Sequence, residues 1–83
     1  MKVEDVLALV VKYFNEQFEI APEKIKPEAH LFKDLGLDSI DALDMVGYLE
    51  AELDLEIQED EIKSIRTVQD VVDFILRKSA EKA

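Results

Sequence analysis

The sequence predicts an all-α fold: a small four-helix bundle of three longer helices and one short helix, with a long loop between helices one and two. Apolar residues recur at helical spacing in three stretches, the pattern of helices that share one core. Only 2 Gly and 2 Pro occur in 83 residues, which argues against a loop-rich or all-β chain. The chain is 48% hydrophobic and its length fits a single domain over residues 1–83.

The first helix is expected over residues 3–18, where apolar side chains recur on one face. Pro22 and Pro27 then exclude a continuous helix, so residues 19–37 form a long connection. A loop of this length in a compact domain is either functional or held against the core. Five apolar side chains are candidates to hold it there: Ile20, Ile25, Leu31, Phe32 and Leu35.

The second helix should begin at Asp38–Ser39 and run to about Leu53, with Gly36 giving a flexible approach. A short helix or helical turn is expected over residues 59–65. The last helix opens at Thr67 as its N-cap, with Asp70 three residues later in a capping-box-like pair. Its apolar repeat consists of Val68, Val71, Val72, Ile75 and Leu76.

The net charge is −10, and it is unevenly distributed along the chain. Residues 34–62 contain eleven acidic residues and no lysine or arginine. Nucleic acid and anionic membrane surfaces should repel such a chain, so proteins with basic patches are the expected partners. A solvated acidic face without a partner remains the simpler alternative at this point.

The chain contains no cysteine, which excludes a disulfide framework and a thiolate metal site and fits a reducing cytoplasm. The apolar run Val6–Val11 follows two acidic residues and is too short for a signal peptide. No stretch approaches the roughly 18 apolar residues of a membrane span. We therefore expect a cytoplasmic, monomeric protein without a membrane span.

The stretch DLGLDSIDALDMV, residues 34–46, places one serine among four aspartates. If Asp38 is the N-cap, its carboxylate accepts from an amide near Asp41, and Ser39 is left exposed at the first helical position. Alternatively, Ser39 is itself the cap. Both residue types suit a helix start, so the local pattern leaves the two interpretations open.

The faces of the second helix separate a core side from an outward side. A sector about 100° wide can pack the core, and it holds Ala42, Met45, Val46, Leu49 and Leu53. Ile40, Leu43 and Gly47 share the outward side with Ser39, flanked by Asp44. An apolar patch with a charged rim is typical of a protein-contact site, although Leu43 could instead pack under the long loop.

Ser39 lacks the surroundings of a catalytic nucleophile. The only histidine, His30, is in the long loop, and the flanking sequence is not the G-x-S-x-G turn of serine hydrolases. The aspartates are not spaced as an EF-hand loop, so a dedicated metal site is not expected. A phosphodiester on Ser39 would lie at a helix N-terminus, which favours an anion.

The segment LGLDSIDALDMVGYLEAELDLEI resembles the core of acyl carrier proteins, the phosphopantetheine-binding carrier family with a D-S-[L/I] triplet opening the second helix. FKDLG before it and TVQDVVDFI near the end extend the resemblance over nearly the whole chain. It implies a bundle of three long helices and one short one, and a protein that carries acyl groups without catalysing a reaction.

The resemblance also implies roles for individual residues. Ser39 corresponds to the serine to which a phosphopantetheinyl transferase attaches 4′-phosphopantetheine from coenzyme A, and Asp38 to the aspartate that helps this transfer. The family's partners are acyl-processing enzymes with basic docking patches. The positions that correspond to their contact surface are Ile40, Asp41, Leu43, Asp44, Gly47 and Glu50. An acyl-chain cavity would be lined by Val46, Ile57, Ile65 and Val68.

Several positions depart from the family's usual pattern: Ile40 replaces a leucine, Asp44 a glutamate, Gly47 a larger apolar residue and Ala51 an acidic one. These changes fall on the expected partner surface. The resemblance implies a carrier in fatty acid or other lipid biosynthesis, and the departures, which weaken the case for the housekeeping carrier of fatty acid synthesis, raise a specialised acyl or aminoacyl carrier of a secondary pathway as the alternative. From a different class, an acidic interaction module or weak calcium binder without a prosthetic group remains open.

Overall fold

The computed structural model describes residues 2–82, except for the side chains of Glu59 and Lys82, and within this range it contains no β-strand. Met1 and Ala83, the ends of the predicted domain, lie outside the described residues. Three α-helices are present: α1 (Val3–Phe18), α2 (Ser39–Leu53) and α3 (Val68–Lys82). Two shorter 3-10 helices, Pro22–Lys24 and Glu59–Ser64, lie in the connections. The predicted all-α fold, the three longer helices and the short helix near residue 60 are confirmed.

In the described part of the chain, α1 and α3 share the most extensive backbone contact, and both contribute valine and aromatic side chains to the core. Val6, Val10 and Phe14 of α1 are fully or almost fully buried, as are Val68 and Ile75 of α3. Burial of each such side chain contributes about 1.5–3 kcal/mol of transfer free energy. This helix pair therefore provides most of the buried core, against which the rest of the chain packs.

The long connection is fixed to the beginning of α3 by backbone hydrogen bonds. The Leu31 amide donates to the Arg66 carbonyl at 2.8 Å, and the Val68 amide donates to the Ala29 carbonyl at 3.0 Å. Ile25 and Leu31 are buried, and Ile20 and Leu35 are partly buried against the core. Phe32 does not pack into the core as expected: it is 37% exposed and lies beside the His30 ring.

α3 begins with the predicted capping box. The Asp70 amide donates to Thr67 Oγ1 at 3.2 Å, and the Thr67 amide donates to Asp70 Oδ2 at 3.1 Å. The Glu59–Ser64 helix is tied to α3 by the Lys78 ammonium, which lies 3.0 Å from Glu61 Oε1. These contacts fix the segment that faces the beginning of α2.

Within residues 2–82, no helix is both long enough and apolar enough to cross a membrane.

Candidate functional site

A reciprocal capping box fixes the beginning of α2. Asp38 Oδ1 accepts from the Asp41 amide at 2.9 Å, and Asp41 Oδ2 accepts from the Asp38 amide at 3.1 Å. Asp38 has the extended backbone of an N-cap. The structure thus decides between the two interpretations of the sequence: Asp38 is the cap, and Ser39 is the first helical residue, with an exposed side chain.

The approach to Ser39 is built from a left-handed glycine and a buried leucine. Gly36 has φ +73°, a conformation that side chains with a Cβ rarely adopt. Leu37, one residue later, is buried, and its amide donates to the Leu31 carbonyl at 3.1 Å. The chain is therefore anchored two residues before Ser39, which presents the serine at a defined place on the surface.

The outward side of α2 carries the predicted apolar patch. Ile40 is 67% exposed and Leu43 is 48% exposed, and Asp44 is exposed beside them. Gly47 is also exposed, and a Cβ added there would meet nothing within 4 Å. The neighbouring loop does not approach Gly47, so this glycine leaves a shallow, open place on the patch.

Two of the predicted surface acids also have structural roles. Asp41 is part of the capping box, and Glu50 is half-buried, with Oε2 accepting from the Ile57 amide at 3.3 Å. The Glu50 contact helps to turn the chain after α2. Of the helix residues expected to face the core, Met45 and Leu49 are buried, whereas Ala42 and Val46 are half-buried at its edge.

The acids of α2 influence the interior through Tyr13 of α1. Burial raises the pKa of the Tyr13 phenol, and the negative charges of Asp44 and Asp41 raise it further. The Tyr13 ring lies 4.4 Å from the ring of Tyr48, measured between centroids. The negative charges of α2 thus act on the helix beneath it and disfavour ionisation of the Tyr13 phenol.

A groove of about 480 Å³ opens beside Ser39, between α2 and the segment that leads into α3. Its walls are mainly apolar, and it is lined by Phe32, Ser39, Ala42, Leu43, Ile62, Lys63, Ile65 and Arg66. Of the residues expected to line a cavity, Ile65 does so. Val46, Ile57 and Val68 are not among the residues that line this groove, and their place beside an acyl chain stays a prediction.

His30 is engaged in a turn and is not a groove residue. Its Nδ1 accepts from the Phe32 and Lys33 amides at 3.2 Å each, and its own amide donates to Asp34 Oδ2 at 2.7 Å. The imidazole nitrogen is therefore used to hold the loop. Among the described residues, no group of three or more His, Cys, Asp or Glu side chains could hold a metal ion.

Comparison with known proteins places this geometry in context. Residues 8–75 match the family model described as "Phosphopantetheine attachment site". The chain is 39% identical over 80 residues to the "Acyl carrier protein" of Thermosynechococcus vestitus, covering 96% of this chain and 99% of the relative. It is 43% identical over 72 residues to "Acyl carrier protein 2" of Ralstonia nicotianae, covering 87% and 89% of the two chains.

A solved structure agrees with the sequence relatives. The acyl carrier protein of Thermotoga maritima superposes with a TM-score of 0.86 at 35% identity, covering 100% of this chain and 96% of that one. The likeness therefore includes the loop, the short helix and all three α-helices.

Proposed function

This chain belongs to the acyl carrier protein family, and from that premise we propose that it carries acyl groups as thioesters on a 4′-phosphopantetheine attached to Ser39. The family is defined by the covalently held prosthetic group. The observation that supports Ser39 most is that Asp38, not Ser39, caps α2, which leaves an exposed hydroxyl at the first helical position.

The residues around Ser39 fit an attached phosphodiester and a flexible arm. Ser39 is exposed and lines a largely apolar groove, which leaves room for a transferase to reach it and for an attached arm. When bound, the prosthetic group supplies the thiol that holds the acyl group, which this cysteine-free chain lacks. The chain itself contributes the attachment point, the groove and the surface that partners contact.

The outward side of α2 is the proposed docking surface for the transferase and for acyl-processing enzymes. Ile40 and Leu43 would provide the apolar contact, and Asp41, Asp44 and Glu50 the charges for basic patches. Gly47 would let a partner side chain approach the helix closely. Asp38 would assist the transfer next to Ser39. In this proposal the protein is a monomeric carrier and not an enzyme.

For the pathway, we propose fatty acid or other lipid biosynthesis in the cytoplasm. The alternative is a specialised acyl or aminoacyl carrier of a secondary pathway. The specialised carrier is supported by the departures from the common pattern at Ile40, Asp44, Gly47 and Ala51, because these residues lie on the surface that partners would contact. A panel of acyl-processing enzymes from both kinds of pathway, assayed with the loaded protein, would separate the two.

The test of the attachment site is the intact mass after co-expression with a phosphopantetheinyl transferase. We expect wild type to gain the mass of one phosphopantetheine and Ser39→Ala to gain none. Ser64→Ala is the matched control, since Ser64 is also exposed and should leave the gain unchanged. An unmodified wild type, alongside a control carrier that the same transferase modifies, would contradict the proposal.

A further inference from the structure

The groove beside Ser39 contains the first two cations that follow the acidic middle of the chain. Residues 34–62 hold eleven acids and no lysine or arginine, and the next basic residues in sequence are Lys63 and Arg66. Both line the groove together with Ser39. An otherwise apolar groove in an acidic region therefore has a rim of opposite charge.

Arg66 is held in this position by its own backbone and by its neighbours. Its amide donates to Asp70 Oδ2 at 3.0 Å, and its carbonyl accepts from the Leu31 amide at 2.8 Å. Its Nη1 donates to the carbonyls of Lys63 and Ile65, so the guanidinium lies across the end of the 3-10 helix. A guanidinium has five N–H donors, and these two contacts use one nitrogen.

Neither cation forms an ion pair with an acid among the described residues, where both ion pairs belong to Lys78. Lys63 and Arg66 are exposed at the groove and retain donors for an anion. The charge of Arg66 reaches Asp70 only as one of the lesser causes that lower the pKa of that carboxyl. The groove rim is therefore positively charged where Lys63 and Arg66 line it.

We propose that Lys63 and Arg66 bind the phosphodiester of the prosthetic arm and direct the arm from Ser39 into the groove. The inference rests on the proposed function, since it needs an arm on Ser39. The phosphodiester is the anion bonded directly to the Ser39 oxygen, and it would otherwise face the carboxylates of Asp38 and Asp41. Pairing with the two cations turns the arm toward the apolar groove walls and away from the acidic face of α2.

The charges make this orientation specific. The hydrogen bonds of a guanidinium to phosphate are among the stronger ones in proteins, and at low ionic strength the attraction between the exposed charges is screened least. Lys63 and Arg66 are thus positioning residues for the arm. They would set the direction in which the thiol leaves the protein, while the α2 surface remains available for partners.

The test is a thermodynamic cycle that compares apo and holo protein in wild type and in K63Q/R66Q. The quantity is the melting temperature of the holo form minus that of the apo form, with modification verified by intact mass. In low salt we expect this difference to be about 2–5 °C more favourable in wild type than in the variant. The variant also loses the hydrogen bonds from the Arg66 guanidinium to the carbonyls of Lys63 and Ile65, but this loss affects the apo and holo forms alike and cancels in the cycle.

The matched control is K24Q/K26Q, which removes the same charge from exposed lysines of the loop outside the groove. It should retain the wild-type difference. About 0.5 M NaCl should reduce the difference in wild type and leave the variant unchanged. K63Q alone should lose part of the effect and keeps the Arg66 contacts, so it serves if the double variant does not fold.

A second readout is the ³¹P resonance of the phosphodiester, which should shift between wild-type holo protein and the variant and move with salt in wild type alone. Superimposable ³¹P spectra, or equal holo-minus-apo differences in wild type and variant, would overturn the proposal while leaving attachment at Ser39 intact. The melting-temperature difference could instead depend on Lys63 and Arg66 only when the arm carries a malonyl group, and not with an acetyl group or the bare arm. That result would also overturn the proposal, because the two cations would then bind the carboxylate of the cargo and not the phosphodiester.

Discussion

The α1–α3 pair and α2 divide the work of the molecule. The largest fully buried side chains come from α1, α3 and the long loop, among them Phe14, Leu31 and Ile75. α2 contributes Met45 and Leu49 to the core and leaves Ile40 and Leu43 exposed. A helix that gives up apolar burial on one side retains that surface for contacts with other molecules. The buried core and the exposed apolar patch are thus concentrated on different helices.

The two regions also differ in charge. Residues 1–33 hold six acidic and five basic residues, and residues 63–83 hold three acidic and five basic residues. Residues 34–62, between them, hold eleven acidic residues and no lysine or arginine. Helices α1 and α3 carry charges of both signs, whereas α2 carries acidic residues only. Self-repulsion is therefore concentrated on the candidate docking helix, where a basic partner would relieve it.

The largest expected effect is the contrast between Phe14→Ala and Leu43→Ala. Phe14 is fully buried against Tyr13 and Phe18, so its truncation should lower the free energy of unfolding by about 3–5 kcal/mol. Leu43 is 48% exposed, and Leu43→Ala should cost at most about 1 kcal/mol. Urea denaturation followed by circular dichroism measures both.

In a binding measurement the order should be reversed, with Leu43→Ala having the larger effect and Phe14→Ala the smaller one. Leu43→Ala should weaken the transferase interaction, whereas any Phe14→Ala protein that remains folded should bind as wild type does. Equal destabilisation by the two substitutions would mean that the α2 surface is part of the core and would remove the contrast between the regions. Ile75→Val, with an expected cost of about 0.5–1.5 kcal/mol, gives a graded core variant that remains folded.

The sequence predicted most of this architecture because the relevant signals are local. Helical periodicity located α1, the Asp38–Ser39 dipeptide marked the start of α2, and the Thr67–Asp70 pair marked the start of α3 that the hydrogen bonds confirm. Helix geometry placed Ile40 and Leu43 on the outward side of α2, and their exposure in the structure excludes the alternative that Leu43 packs under the long loop. The resemblance to acyl carrier proteins is confirmed by the comparisons. The roles assigned to the α2 surface residues remain predictions.

The groove was predicted less well, because its walls come from three separate segments. Phe32 was expected in the core but lies at the surface, since its neighbours His30 and Asp34 form a hydrogen-bonded turn that directs it outward. Lys63 and Arg66 gave no periodic signal, and their place beside Ser39 depends on how the 3-10 helix packs. Such tertiary placement cannot be read from the spacing of residues along one element.

An effect of intermediate size should come from the capping box of α3, through the way its contribution to stability changes at low pH. The pKa of Asp70 is lowered below its ordinary 3.8, first by the hydrogen bond from the Arg66 amide and then by those from Thr67. Because the folded-state pKa is the lower one, this stabilisation is complete above the unfolded pKa and is lost as the pH falls through the folded pKa. Glu61 acts in the same direction, through the Gln58 amide and then Lys78.

Asp70→Asn keeps an oxygen that can accept from the backbone amides but loses the negative charge at the helix start, so it should cost at most about 1 kcal/mol at pH 7 and make the decline of stability below about pH 4 shallower than in wild type. Urea denaturation at a series of pH values measures both quantities. Asp73→Asn removes the same charge from α3, but Asp73 accepts from the Gln69 side chain and not from backbone amides, so its cost at pH 7 should be smaller. An unchanged acid limb in Asp70→Asn would show that the cap does not carry the pH dependence.

The smallest effect concerns the two glycines, which should respond with opposite signs. Gly47 lies inside α2 with open space where a Cβ would be, so Gly47→Ala should raise the free energy of unfolding by about 0.5–1 kcal/mol through helix propensity. Gly36→Ala is the matched control: it also meets no atom within 4 Å, but φ +73° makes it cost about 1 kcal/mol. Denaturation midpoints give both values. If Gly47→Ala stabilises the fold but slows modification or weakens docking, α2 sacrifices stability for access at this position. A stabilised variant with unchanged docking would remove Gly47 from the partner surface and confine that surface to the apolar and acidic residues around it.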